Sequence, residues 1–316
     1  MPDQDSKMDK TSERPLISVV MPIFNREEFV AGAIDSILAQ TYDHWEIILV
    51  DDGSTDRSYE IALSYAARMP EKIRSVTHEN RVNRGISASR NRGNSFARGE
   101  YIACLDSDDT WVPTRLEEQI KILHQHPEVG LVVGATEYWH PDQRHLDRLI
   151  LAGGPRDCLV QPPTLFYEMY PLGDGVAPSM NTVLIRKDVV ERIGGWEESF
   201  RTTYEDQAML TKVYLTASVY ISSNVGDIYR QHAQSIMRTE LVGIRYYRKR
   251  YLFLLWLKGW LKSKQPGRTA ELAVVQRALK DRSLWAFRDP IRYNLWRALV
   301  KMGRILGRVT GWSGRT

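Results

Sequence analysis

Short apolar runs alternate with stretches of helical periodicity through the first 135 residues. Leu16-Ile17-Ser18-Val19-Val20-Met21 is a β-branched run stopped by Pro22, which predicts a buried strand over 16–21. Across 26–40, Phe29, Ala33, Ile34, Ile37 and Leu38 fall at helical spacing. Trp45-Glu46-Ile47-Ile48-Leu49-Val50 predicts a second strand, ending in Asp51-Asp52-Gly53-Ser54, and Ser54 or Thr55 can cap a helix beginning near Asp56. A weaker strand is expected over 73–77, a helix over 87–97, and a strand over 101–105 that runs into Asp106-Ser107-Asp108-Asp109. A helix follows from Pro113 to His124, then a strand over 129–133 and a loop-rich stretch over 139–178 that could cover a site. Further elements are a strand over 181–185, a short helix over 187–193 stopped by Gly194-Gly195, a helix over 204–215 and an extended segment over 218–221. From 241 onward the pattern is helical, basic and rich in Trp and Leu.

Strands alternating with helices in this way predict an α/β fold: a mainly parallel sheet with helices on both faces. Such sheets bind ligands at the carboxyl ends of their strands. Here the candidate ends carry Asn25, then Asp51 and Asp52, then Asp106 and Asp108.

Composition narrows the class. With 316 residues, 43% hydrophobic and 26% charged, the chain is long enough to bury a sizeable core and too apolar to be disordered throughout. Two cysteines, Cys104 and Cys158, exclude a disulfide framework or a cysteine-based zinc site and fit a reducing, cytosolic setting. Residues 1–14 are polar and mixed in charge, which reads as a disordered leader and not a signal peptide. The longest apolar stretch, 251–261, contains Lys258 and falls short of the ~18 residues that span a bilayer. The net charge of +4 conceals an asymmetry: 241–316 holds 18 basic and 3 acidic residues, so that the body before it carries a net negative charge. A basic tail on an acidic body points to an anionic partner for the tail.

The acidic clusters carry the sharper chemistry. Carboxylates at Asp106 and Asp108, on a turn at a strand end, can converge on one hard cation such as Mg²⁺ or Mn²⁺, or they can be a solvated turn. Asp51-Asp52 reads either as an Asp-Gly turn or as a pair in which one carboxylate accepts a nucleobase N–H. Arg84, Arg90 and Arg92 lie between the clusters, suited to a diphosphate or to solubility. Glu205-Asp206 opens a helix, where acidic residues also favour the dipole. His232 is a ligand or a structural histidine.

Together these segments resemble family 2 glycosyltransferases. The resemblance rests on Val19-Val20-Met21-Pro22-Ile23-Phe24-Asn25, Val50-Asp51-Asp52-Gly53-Ser54-Thr55-Asp56, Gly85 through Arg90-Asn91-Arg92-Gly93, Gly99-Glu100-Tyr101-Ile102, Leu105-Asp106-Ser107-Asp108-Asp109, Gly194-Gly195-Trp196, Glu205-Asp206 and Arg230-Gln231-His232. It implies a GT-A fold, Rossmann-like in its nucleotide half, over 15–240, with 241–316 as a basic helical extension. It also implies inverting transfer from a nucleotide-sugar donor, UDP-linked in the usual case. Carried over by motif, Pro22, Phe24, Asn25 and Asp52 would hold the base, Asp106 the ribose or diphosphate side, and Arg90 would lie near the diphosphate. Asp108 would ligate Mn²⁺ or Mg²⁺ with His232 as a further ligand, and Asp206 would be the general base. The Gln-x-x-Arg-Trp signature of processive relatives is absent, which implies addition of one sugar.

Two other readings compete. A phospho-signalling receiver also gathers carboxylates around Mg²⁺, but the chain is too long and no Lys follows the strand at 129–133. A non-catalytic nucleotide-sugar binder would not need the base Asp206. The tail interleaves Tyr246, Tyr247, Tyr251, Phe253, Trp256 and Trp260 with Arg248, Lys249, Arg250, Lys258, Lys262 and Lys264, and places Trp285, Trp296 and Trp312 among further arginines. No nucleic-acid motif accompanies it. Aromatic and basic residues in this mixture predict a segment lying on an anionic membrane surface, and hence a peripheral enzyme at the cytoplasmic face meeting a lipid-linked or envelope glycan acceptor.

Overall fold

The computed structural model describes residues 14–232 and 244–281. The chain divides into two compact units, Met1–His232 and Ala233–Thr316. In the first, the described strands are β1 (Ile17–Ile23), β2 (Trp45–Asp51), β3 (Ile73–Thr77), β4 (Tyr101–Cys104), β5 (Thr110–Trp111), β6 (Val129–Trp139), β7 (Arg148–Ile150), β8 (Cys158–Val160), β9 (Leu184–Arg186) and β10 (Ser218–Arg230). They form one sheet in the order β3-β2-β1-β4-β9-β6-β10-β5, with β7 added to β6 and β8 to β10. β3, β2, β1 and β4 run parallel, as do β6 and β10, while β9 joins the two halves antiparallel to β4 and β6. The helices are α1 (Val30–Leu38), α2 (Ser58–Arg68), α3 (Ile86–Phe96), α4 (Arg115–Gln125), α5 (Thr164–Glu168), α6 (Lys187–Arg192) and α7 (Glu205–Thr216).

Strand alternation explains the layering. Ile17, Val19, Met21 and Ile23 of β1 share a buried cluster with Val30, Ala33, Ile34 and Ile37 of α1. Val20 points the other way, toward Gly93 of α3; a Cβ at Gly93 would stand 2.3 Å from a Val20 methyl, so α3 sits close on the sheet only because residue 93 has no side chain. Helices therefore cover both faces, as the pattern predicts.

The structure lengthens several expected elements. β1 continues through Pro22 to Ile23 because β4 pairs with it only as far as Cys104, so the missing Pro22 N–H costs no ladder bond there. β10 reaches Arg230, far past the expected 218–221, because it pairs with β6 as far as Trp139; register shifts in that pairing scramble the alternation that would have marked the strand. The 139–178 stretch carries β7, β8 and α5. Residues 26–29 form a turn ahead of α1, with the Phe29 and Val30 N–H groups donating to the Arg26 carbonyl. Instead of a strand from 181, a short 3-10 turn at Met180–Thr182 precedes β9.

The second unit contains the helices Ile244–Lys264 and Thr269–Ala278. Phe253, Leu254, Leu257 and Leu261 are buried, whereas Leu252 and Leu255 are exposed. No described helix is long and apolar enough to cross a membrane. Trp285, Trp296 and Trp312 lie outside the described residues.

Candidate active site

β2, β1 and β4 are adjacent and parallel, so their carboxyl ends open side by side. Asn25, in the left-handed region at φ 51°, turns the chain out of β1. Its Oδ1 accepts from the Thr55 backbone N–H at 2.8 Å, and its own N–H donates to Ser54 Oγ at 3.1 Å. The loops after β1 and β2 are thereby fastened together. Pro22 is buried within β1, whereas Phe24 is 43% exposed.

The two carboxylates after β2 differ in use. Asp51 is fully buried and accepts the Gly53 and Ser54 N–H groups, so it shapes its own turn. Asp52 accepts the Arg84 N–H at 2.6 Å and the Gly85 N–H at 2.9 Å, which fixes the loop leading into α3. Gly85 itself sits at φ 90°, with Arg201 close against the place a Cβ would take.

Beyond β4, Asp106 accepts from Arg90 Nη2 at 2.8 Å. Arg90 is 1% exposed, and its Nε and Nη1 have no hydrogen-bond partner. Burial works against the guanidinium charge, but Asp106 beside it outweighs that and raises its pKa above the ordinary value. Arg90 is thus an interior residue whose guanidinium lies against Asp106. Asp108 Oδ2 meets Arg26 Nε at 2.9 Å and His232 Nε2 at 3.2 Å. Burial opposes its charge, yet the His232 hydrogen bond and the Arg26 guanidinium hold its carboxyl below the usual range. Asp109 points inward, accepting from Asn181 Nδ2 at 2.6 Å and from the Arg230 N–H at 2.7 Å. Burial and then the charges of Asp108 and Asp106 push its pKa well up.

Asp206 stands in the first turn of α7, accepting the Gln207 N–H at 2.7 Å. Burial raises its pKa; Arg90 lowers it and Asp106 raises it further, so the three groups share one electrostatic environment. Glu205 is pushed up to about 7 by burial and then by the Asp206 charge, with Arg90 opposing. Tyr204, just before them, is held at φ 66°, a costly conformation for a non-glycine residue, and its hydroxyl meets that of Tyr170. α3 is tied to the approach of this helix: Asn91 bonds Trp196 through both its N–H and its carbonyl, and Ser87 Oγ donates to the Phe200 carbonyl.

Asp108 and His232 suit a divalent cation. A carboxylate and an imidazole converge within 3.2 Å, and His232 Nδ1 is buried without a partner. Among the described residues no third His, Cys, Asp or Glu completes a protein-only cage, as expected where a substrate supplies the remaining oxygens.

Three residues escaped the sequence reading. Arg26 lay in the expected helix. Asn181, whose Oδ1 accepts the Asp106 N–H at 2.8 Å while its amide holds Asp109, was hidden in an apolar stretch. Arg230 was only part of a quoted motif. A polar residue at the mouth of an apolar segment was the available signal for Asn181.

Comparisons with known proteins bear on the fold and on the family. Residues 18–177 match Glycosyl transferase family 2. Glycosyltransferase GlyG of Streptococcus pneumoniae is 33% identical over 232 residues, which span 71% of this chain and 74% of that protein. A further relative is matched more tightly, at 45% identity, but over only 42% of its length. Among solved structures, TarS of S. aureus in complex with UDP-GlcNAc aligns over 86% of this chain and 73% of its own, with a TM-score of 0.58 and 18% identity. The mannosyltransferase PcManGT of Pyrobaculum calidifontis, in complex with GDP-Man and Mn²⁺, aligns over 94% and 81%, with a TM-score of 0.56 and 18% identity. These two likenesses bear on the fold, which is that of GT-A glycosyltransferases. The sequence matches bear on kinship, and by them this chain belongs to glycosyl transferase family 2 and is a glycosyltransferase.

Proposed function

We propose that this enzyme transfers one sugar from a nucleotide diphosphate sugar, a UDP-sugar, to an acceptor hydroxyl with inversion at the anomeric carbon, assisted by Mn²⁺ or Mg²⁺. The observation that carries the reading is the convergence of Asp52, Asp106 and Asp108 at neighbouring strand ends, with Arg90 linking Asp106 to the surroundings of Asp206. UDP-GlcNAc in TarS and GDP-Man with Mn²⁺ in PcManGT support a nucleotide-sugar donor and a divalent cation. Phe24 offers an exposed ring beside Asn25, and buried Pro22 shapes the floor. Asp52 Oδ1 takes the Arg84 N–H with His78 Nε2 3.5 Å away, whereas Oδ2 takes only the Gly85 N–H and keeps a lone pair for a base N–H.

In this reading Asp108 and His232 would hold the cation beside the donor. When bound, the ion offsets the negative charge that develops on the departing diphosphate. Asp206 accepts the proton of the acceptor hydroxyl. The acceptor oxygen bonds the anomeric carbon as the bond to the diphosphate oxygen breaks, and the nucleotide diphosphate leaves. A single displacement needs one base and inverts the centre. The pKa of Asp206, raised by burial, makes it a better proton acceptor than a solvated aspartate. Arg90 is the counter-ion behind Asp106.

The helix Ile244–Lys264 mixes Tyr246, Tyr247, Trp256 and Trp260 with Arg248, Lys249, Arg250, Lys258, Lys262 and Lys264. That mixture supports a lipid-linked or envelope glycan acceptor met at an anionic membrane surface, on the cytoplasmic face.

A thermal-shift panel of UDP, GDP and dTDP, each with and without Mn²⁺, tests the donor reading. UDP with Mn²⁺ is expected to stabilise most, by about 2.7 kcal/mol at 100 times its Kd. Asp108→Ala should lose the metal-dependent part and stay folded. A response to GDP alone would replace the base assignment, and no response to any nucleotide would overturn the reading.

A further inference from the structure

Of the arginines around Asp106, Asp108 and His232, Arg26 is engaged by Asp108 and Arg90 by Asp106. Arg230 differs. Among the described residues no carboxylate pairs with its guanidinium, and its Nε is buried with no hydrogen-bond partner. Two aromatic faces hold it instead: its guanidinium carbon stands 5.2 Å from the Phe29 ring centroid and 4.8 Å from that of Trp139. Its backbone is anchored separately, through the N–H that donates to Asp109.

The location gives this arrangement its meaning. The Phe29 ring that flanks the Arg230 guanidinium also lies 5.0 Å from the His232 imidazole, and that imidazole touches Asp108. One aromatic ring therefore stands between an unengaged guanidinium and the proposed cation site. Stacking on rings restricts the side chain without consuming its N–H donors, unlike a salt bridge. A planar fork of donors, held in place and charged, matches a phosphate group.

We propose that Arg230 is a diphosphate-binding residue, held ready by Phe29 and Trp139 to contact the donor's phosphates from the β10 side of the site. The proposal rests on the nucleotide-sugar reading above. It adds that recognition of the second phosphate comes from the far end of β10 as well as from the β4 loop. Arg230 would gain a charged partner only when donor is bound and keep it on the leaving diphosphate.

Affinities of UDP and UMP, and of GDP and GMP, for the full-length chain in the presence of Mn²⁺ test it by calorimetry. Arg230→Gln is expected to weaken the diphosphate by the order of 10–100-fold, the worth of a charge-assisted hydrogen bond, and the monophosphate by less than about threefold. Arg230→Lys, lacking the planar fork, should fall between. Should Arg230→Gln not fold, Arg230→Met keeps the packing between the rings without the charge and reads the same ratio. Trp139→Leu leaves the arginine without one wall and is expected to weaken the diphosphate several-fold. Equal loss of mono- and diphosphate in the Gln or Met variant, or no loss in either, would overturn the role of Arg230 while leaving the donor reading intact. If the wild-type chain binds neither UDP nor GDP, both fall together.

Discussion

Side chains at the start of α7 set the enzyme's expected response to pH. As the proposed base, Asp206 would have to be ionised to take a proton, and burial raises its pKa, so activity should fall with decreasing pH earlier than for a solvated aspartate. Asp206→Asn should cut the chemical rate by about 10²–10⁴ while donor binding persists, measured under single-turnover conditions. If Glu205→Gln is instead the crippled variant, the base has been misassigned. Glu205 also makes a stability prediction. Its folded pKa, about 7, lies above the ordinary 4.5, so the stabilisation it gives is complete below about 4.5 and is lost as pH rises through 7. Its Oε2 is buried without a partner, so the ionised form above pH 7 is a liability. Glu205→Gln is therefore expected to gain about 1–3 kcal/mol relative to wild type at pH 8 and almost nothing at pH 5. A Tm difference that is the same at both pH values would mean that Glu205 does not titrate in this range.

α3 is the element on which the site turns. Its amino end is held by Asp52 through the Arg84 and Gly85 N–H groups, Arg90 in its middle reaches Asp106, and Asn91 grips the segment that leads to α7. Its height above the sheet is set by Gly93. Gly93→Ala brings opposing effects: about 1 kcal/mol of helix propensity gained, against overpacking on Val20 and Val50 of about 1–3 kcal/mol. The contact at 2.3 Å is too close for a side-chain adjustment alone, so overpacking should win. The Tm is expected to drop by a few degrees and UDP affinity to weaken as Arg90 shifts from Asp106. A stabilised Gly93→Ala variant with unchanged affinity would show that the helix can rise without consequence.

For the whole molecule, the charge asymmetry predicts where the enzyme works. Near an anionic bilayer each basic residue contributes about 1 kcal/mol, and the exposed Leu252 and Leu255 stand in the same helix as Lys258, Lys262 and Lys264. Full-length protein is expected to sediment with liposomes containing anionic lipid, to ignore neutral ones at low salt, and to be released by high salt. Failure to bind anionic liposomes at low salt would remove the membrane from the proposal and leave the basic residues as a solvated face.

The pattern of residues determined much of this in advance. β1, β2 and β4 are short apolar runs bounded by turn residues, and their local signal needs nothing distant to be read. The places of Asp52, Asp106, Asp108 and Asp206 at element ends could be read in the same way, while the roles proposed for them come from the family resemblance. What the sequence could not give was anything depending on a partner far along the chain. β10 is bulged, so its alternation is broken and its length follows only from pairing with β6. Arg90 could be read for a diphosphate or for solubility, and only packing shows it buried against Asp106. Asn181 is joined to Asp106 and Asp109 across more than 70 residues of chain, and Arg230 is sandwiched between rings from the α1 turn and the end of β6. Strand ends are written locally in residue type, but which side chain is buried, paired or left free is decided by neighbours that only the folded chain brings together.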